Sequence, residues 1–295
     1  MARFEFTLED NLFNLHRELS EGTYRPELYE AFYVKDPKLR HIHKASVRDR
    51  VVHQAVYRVL YPTFDKGFIF DSYSSRNFKG THRGARRLEI FIRKATRNWT
   101  RQAWCLKCDV RKFFDSIDHK ILSLLISESV SDARTMELIK TILASFDKSP
   151  GKGLPLGNVT SQLFANVYMD EFDQFAKHIL KARYYARYCD DFVIVEQNID
   201  VLESHLPQIR RFLSEELELE LHPNKVSIRK ARQGIDFLGY VVLPHRNVLR
   251  TKTKRRILKK VNGKNQASYK GMLLHCKGKM IEKEIDGLCD RMLKP

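Results

Sequence analysis

Acidic residues are short in this chain: 36 Asp and Glu stand against 53 Lys and Arg, a formal net charge of +17. A balance this basic points to a polyanionic partner. Cysteine is sparse as well, with five in 295 residues. That excludes a disulfide scaffold and argues for reduced thiols in a reducing, cytoplasmic compartment. Cys105 and Cys108 form a C-x-x-C, but positions three apart on an expected strand face opposite sides, and no second pair or His set stands nearby, which argues against zinc. Long apolar runs are missing, and the opening Met1-Ala2-Arg3-Phe4-Glu5 has no signal-peptide pattern, so no membrane association is expected. Low-complexity linkers and internal repeats are absent too, while 43% hydrophobic residues suffice for a sizeable core.

The basic charge that is present is unevenly placed. From residue 250 to the end, 14 Lys and Arg stand against 4 Asp and Glu, so 14 − 4 = +10 of the +17 lies in that stretch. Apolar positions at Ile257, Leu258, Val261, Met272, Leu273 and Leu274 give it a helical character, suited to holding a nucleic acid by its phosphates.

Three segments carry chemistry. In Arg187-Tyr188-Cys189-Asp190-Asp191-Phe192-Val193-Ile194-Val195, two adjacent acids lie between short aromatic and β-branched runs, the pattern of a hairpin with acids at its turn. Adjacent carboxylates repel each other unless a divalent cation compensates; the alternative is a solvated turn. Upstream, the strand-like Trp104 to Asp109 ends in an acid that can reach a neighbouring hairpin tip, and runs on through Val110-Arg111-Lys112 into Phe113-Phe114. Asp109, Asp190 and Asp191 would together supply the acidic cluster that two-metal phosphoryl transfer requires. The third segment, Gly153-Leu154-Pro155-Leu156-Gly157-Asn158-Val159-Thr160-Ser161-Gln162, is a Gly/Pro turn entering an apolar helical pattern, suited to a backbone lying flat against a base pair.

In order and spacing these motifs resemble those of reverse transcriptases. The chain has an Asp-x-x-x-Phe-Phe motif, a Gly-x-x-x-Ser motif, a Tyr-x-Asp-Asp box, a Lys after a short acidic helix and a Phe-Leu-Gly-Tyr primer-grip element, between about Arg40 and Arg250. Within that family the turn segment looks most like the diversity-generating retroelement class. Most relatives carry Gln before the Gly and Pro after the Ser, where this chain has Leu156 and Gln162.

The resemblance implies roles residue by residue. Asp109 and Asp190 become metal ligands, Asp191 completes the cluster, and Val110 offers a backbone carbonyl, for two Mg²⁺ that Mn²⁺ can replace. Phe114 falls where an aromatic ring under the incoming sugar excludes a 2′-hydroxyl by clash; the alternative is an ordinary core Phe, the role expected of Phe113. Lys225 matches a position whose ammonium protonates departing pyrophosphate, or it is a solvated Lys after a Pro-Asn turn. Arg40 and Arg50 are the choices for gripping the triphosphate, since a guanidinium fork clamps phosphate oxygens, although a charge run is usually a solvated face. Leu156 and Gln162 lie beside the templating pair. Asp71 to Arg76 and Lys79 to His82 fit a template-contacting segment, and Gly234 to Val241 fits the primer grip.

Helices are expected at Arg48 to Leu60, Arg83 to Ala95, Asp118 to Ser127, Thr135 to Ser145, Ser161 to Leu180 and Val201 to Glu218, after an opening stripe of Leu8, Leu12, Leu15 and Leu19. Strands are expected at Trp104 to Val110, Tyr184 to Tyr188, Phe192 to Glu196, Val226 to Lys230 and Phe237 to Leu243. This is an α+β fold, and by resemblance a right-hand polymerase. Its expected parts are an N-terminal helix and fingers over 1–100, an antiparallel-sheet palm over 101–245, and a short basic helical thumb over 246–295. Only 55 residues follow Tyr240, so no ribonuclease H, maturase or endonuclease domain is expected. The expected activity is RNA-directed DNA synthesis on a template RNA, through an RNA–DNA hybrid and dNTPs. A small, basic, oligomeric accessory protein is the expected partner and adenine-directed mutagenesis the expected outcome. An intron-like or defence-associated reverse transcriptase and a non-catalytic RNA-binding module are the alternatives.

Overall fold

A computed structural model describes residues 2–35 and 39–293 and divides the chain into two compact units. One comprises Met1–Phe70, Val110–Phe175 and Gln208–Pro223; the other comprises Asp71–Asp109, Ala176–Pro207 and Asn224–Pro295. Both mix helices with antiparallel strands, as the α+β expectation requires. Among the described residues no helix is long and apolar enough to cross a membrane.

The first unit is mainly helical. Its helices begin where short polar side chains satisfy free N–H groups: Ser46 accepts from the Asp49 N–H before helix Val47–Gly67, Asp118 accepts from Lys120 and Ile121 before His119–Ser127, and Asp132 accepts from Thr135 before Ala133–Ala144. Helix Val159–Gln174 is apolar nearly all round, with Leu163, Phe164, Val167, Tyr168, Met169 and Phe172 buried, and it packs on Val47–Gly67 as a central element. The helix expected to reach Leu180 ends at Gln174 and continues as one π-helical turn, Phe175–Ile179. A hairpin of β1 (Glu30–Val34) and β2 (Arg40–Lys44) was not foreseen. Every residue of β1 is exposed, so the strand lacks the alternation that betrays one.

The second unit contains the sheet that carries the acids. It is antiparallel, in the order β4-β5-β3-β6, with β3 at Trp104–Asp109, β4 at Tyr184–Tyr188, β5 at Asp191–Glu196 and β6 at Ser227–Lys230. Helix Thr81–Ala95 covers one face, where Leu88, Phe91, Ile92 and Ala95 meet Cys105, Ala186, Val193 and Val195. The strand expected over Phe237 to Leu243 is instead two, β7 (Ile235–Phe237) and β8 (Tyr240–Leu243), followed by β9 (Arg246–Leu249). The break falls at Leu238 and Gly239, with φ of 53° and 89°, because a two-residue hairpin turn needs left-handed backbone there. Three helices, Thr251–Lys260, Gln266–Leu273 and Lys279–Leu293, then gather Leu249, Ile257, Val261, Leu273 and Ile285 around Tyr240.

Candidate active site

The acids are placed by strand register. Asp109 ends β3 and lies directly across from Asp191, the first residue of β5. Asp191 is also the closing partner of Tyr188 on β4, so Cys189 and Asp190 form a two-residue turn, with Cys189 in the left-handed region at φ 58°. All three acids therefore sit at one end of one sheet. Like charges directly opposed across strands destabilise a sheet unless something neutralises them. Two lysines do so: Lys225 Nζ donates to Asp109 Oδ1 at 2.7 Å, and Lys107 Nζ lies 3.4 Å from Asp191 Oδ2 while donating to the Asp236 carbonyl at 2.8 Å.

The Asp191 carboxyl is strongly perturbed. Burial pushes its carboxyl up to about 7, with Asp109 and Asp190 adding to the rise and Lys107 opposing it. Its Oδ1 is buried and has no hydrogen-bond partner among the described residues. A buried, unsatisfied carboxylate oxygen beside two further acids is a donor set of hard oxygens, which suits Mg²⁺. No three acidic, His or Cys groups already converge at ligand distance among the described residues, the lysines holding the charge instead.

Val110, Phe114, Leu156, Gln162, Arg40 and Arg50 lie in the first unit, while the template segment Asp71 to His82 and the primer-grip segment Gly234 to Val241 lie in the second. Val110 is buried and forms an isolated antiparallel bridge with Leu221. Phe113 is buried at 2% exposure, as a core residue should be, whereas Phe114 is half-buried with its ring 5.4 Å from that of Phe113. The Phe114 carbonyl accepts from the Leu154 N–H at 2.7 Å, which ties its segment to the Gly/Pro turn. That turn is tied in its turn to β2, since the His43 N–H donates to the Leu156 carbonyl at 3.0 Å. Gly157 has φ +128°, and a Cβ there would stand 3.3 Å from Ile42 Cγ2 and 3.4 Å from the His43 carbonyl oxygen. Phe114, Leu156 and β2 are thus brought together, with Gln162 exposed on the first turn of the following helix. Arg40 and Arg50 are both exposed, and neither side chain makes a hydrogen bond or ion pair among the described residues; Arg48 between them is engaged by Glu18 and Asp49.

Two residues escaped the sequence reading. Lys107 stands two positions before Asp109, hence on the same strand face, and that alternation could have revealed it. Arg187 could not be found so: nothing in sequence separates a buried arginine from an exposed one, yet it is completely buried.

Residues 34–242 match the family model of reverse transcriptases, described as "Reverse transcriptase (RNA-dependent DNA polymerase)". The chain belongs to this family of nucleotidyltransferases. Among its relatives is Protein YkfC of Escherichia coli (strain K12), 27% identical over 79% of this chain and 71% of that protein. The group II intron-encoded protein LtrA of Lactococcus lactis subsp. cremoris is 23% identical over 81% of this chain, which spans only 51% of LtrA. In architecture the chain is similar to apo telomerase from Candida tropicalis, with a TM-score of 0.58 at 12% identity, over 83% of this chain and 54% of that one. That likeness supports the right-hand polymerase fold.

Proposed function

We propose that the chain copies a template RNA into DNA at the Asp109, Asp190 and Asp191 end of the sheet. The observation that carries this is the register: Asp109 faces Asp191 across β3 and β5, and Asp191 retains a buried oxygen without a partner among the described residues. Asp109, Asp190, Asp191 and the Val110 carbonyl would hold two Mg²⁺, or Mn²⁺ in their place. Bound there, the cations supply Lewis-acid stabilisation of charge on the attacking primer 3′-oxygen and the departing pyrophosphate. Lys225, already within hydrogen-bond reach of the cluster, is placed to give a proton to the leaving group. Phe114 screens the sugar, Arg40 and Arg50 grip the triphosphate, and the basic segment after Arg250 holds the RNA–DNA hybrid as a thumb, following fingers over 1–100 and a palm over 101–245.

The finer class we propose is that of the diversity-generating retroelements, with a small, basic, oligomeric accessory protein, action in the cytoplasm, and errors concentrated opposite template adenines. Leu156 and Gln162 support it. Leu156 lacks the side-chain hydrogen bond that Gln would offer, and Gln162 leaves the helix entry without the stiffness of Pro. The likeness to LtrA favours a second reading, an intron-type reverse transcriptase. Incorporation of labelled dNTP on a primed RNA template with Mg²⁺ is the test. Absence of incorporation under permissive conditions would favour a non-catalytic RNA-binding module. Sequencing the cDNA then separates the two polymerase readings, since only the first expects adenine-directed errors.

A further inference from the structure

Arg187 is the largest side chain among those buried almost completely, and it sits on β4 two residues before Cys189. Its neighbours in the strand, Tyr185 and Ala186, are apolar and buried, so an apolar residue would fill the position without the cost of a desolvated charge. A buried guanidinium persists where hydrogen bonds use it, and two of its bonds tie the acid-bearing turn to Ser72. Nη1 donates to the Cys189 carbonyl at 3.0 Å, the first residue of the acid-bearing turn. Nη2 donates to Ser72 Oγ at 3.2 Å, and Ser72 is itself completely buried.

The backbone strengthens the anchor. The Arg187 N–H donates to the Asp71 carbonyl at 3.0 Å and the Tyr73 N–H donates to the Arg187 carbonyl at 2.9 Å, so residues 71–73 run beside the outer edge of β4. Asp71 is in turn gripped by Arg87 at 2.8 Å and by the Tyr73 hydroxyl at 3.0 Å, which fixes the segment to helix Thr81–Ala95. A chain of bonds therefore runs from that helix through residues 71–73 and Arg187 to the Cys189 carbonyl. Cys189 is a non-glycine residue in left-handed backbone, a conformation that persists only when its surroundings impose it.

Resting on the polymerase reading above, we propose that Arg187 is a positioning residue for the catalytic acids: through the Cys189 carbonyl it holds the turn that presents Asp190 and Asp191 to the cations. It touches no reacting atom in this role. A lysine keeps the charge but cannot fork to both acceptors.

The test compares wild type with Arg187→Lys and Ser72→Ala, the latter removing one anchor while keeping packing nearly unchanged. Mn²⁺ binding, with Mn²⁺ alone as the probe, is read by electron paramagnetic resonance, beside the Mg²⁺ midpoint of primer extension and a thermal melt. Outer partners of metal ligands alter affinity by roughly 10–100-fold when lost, so Arg187→Lys should weaken Mn²⁺ binding about tenfold and raise the Mg²⁺ midpoint, with Ser72→Ala weaker in the same direction. Unchanged Mn²⁺ affinity in folded variants, with only a lowered melting temperature, would show a merely structural arginine and overturn the proposal. Should Arg187→Lys not fold, Ser72→Ala decides alone. An inactive wild type would instead count against the polymerase reading, and the Mn²⁺ comparison would still decide the positioning role.

Discussion

Replacing Asp191 by Asn should make the metal-free protein more stable while abolishing polymerisation. In the folded chain burial raises the Asp191 carboxyl from 3.8 to about 7, so above neutrality the fold holds a charge that the unfolded chain solvates freely. Three units at about 1.4 kcal/mol each give roughly 4 kcal/mol. The side chain keeps 22% of its exposure, so water reaches part of it and about 2–4 kcal/mol is the better expectation. The sign follows from proton counts. Between pH 4 and 7 the folded state binds more protons than the unfolded one, so wild-type stability falls as pH rises through that window and levels off above it. The amide cannot titrate, and the gain of the variant should be near zero at pH 4, grow to pH 7 and then stay constant. For a chain this size that gain means a melting temperature higher by about 5 °C or more at pH 8. Thermal melts from pH 4 to 8 in chelator measure it, and repeating them with Mg²⁺ should raise wild type but not the variant. A variant that melts below wild type at pH 8, or whose advantage is as large at pH 4, would refute the buried-charge argument.

Other outcomes follow from the same geometry. Asp190→Asn should abolish primer extension and leave RNA affinity and melting temperature close to wild type, as an extension assay beside a melt will show. RNA binding through the +10 segment after residue 249 should weaken steeply between low and moderate salt, and a flat binding constant would remove the phosphate contacts from the account. Gly157→Ala must carry a Cβ at φ +128° against the His43 carbonyl, so a loss of about 1–3 kcal/mol is expected in a denaturation curve. The double variant Leu156→Gln with Gln162→Pro should lower misincorporation opposite adenine about tenfold in sequenced cDNA, and an unchanged error spectrum would clear both residues of the role.

Much of the sheet was legible because β3, β4 and β5 have buried interiors and acids bound β3 and β5. The bounds of β4 were read from Tyr184 to Tyr188 without error, and β3, β5 and β6 to within a residue. The hairpin β1–β2 was not, since exposed strands such as Glu30–Val34 carry no burial pattern, and their pairing is fixed by each other. At Leu238-Gly239 the apolar run Phe237 to Leu243 masked a turn whose only cue was one glycine. The acids themselves were visible as motifs. What anchors them was not, because Lys107 acts through Asp191 and Asp236, and Arg187 through Cys189 and Ser72, and contacts between distant segments leave no mark in local composition.

The strand order β4-β5-β3-β6 has a consequence for synthesis on the ribosome. Strand β3 is central, yet it emerges before both of its neighbours: Asp109 waits 191 − 109 = 82 residues for Asp191, and Leu106 waits 228 − 106 = 122 residues for Ile228. At translation rates of roughly 5–20 residues per second, this apolar strand stays unpaired on both edges for several seconds. During that interval it is open to pairing with other nascent chains. Closure must await the last strand of the sheet, so a chain truncated before Ser227 would have its acids but not the edge that completes their sheet. Such products should be captured by chaperones rather than accumulate as partial polymerases, and slowing translation over residues 110–226 should lower the soluble yield of an otherwise unaltered protein.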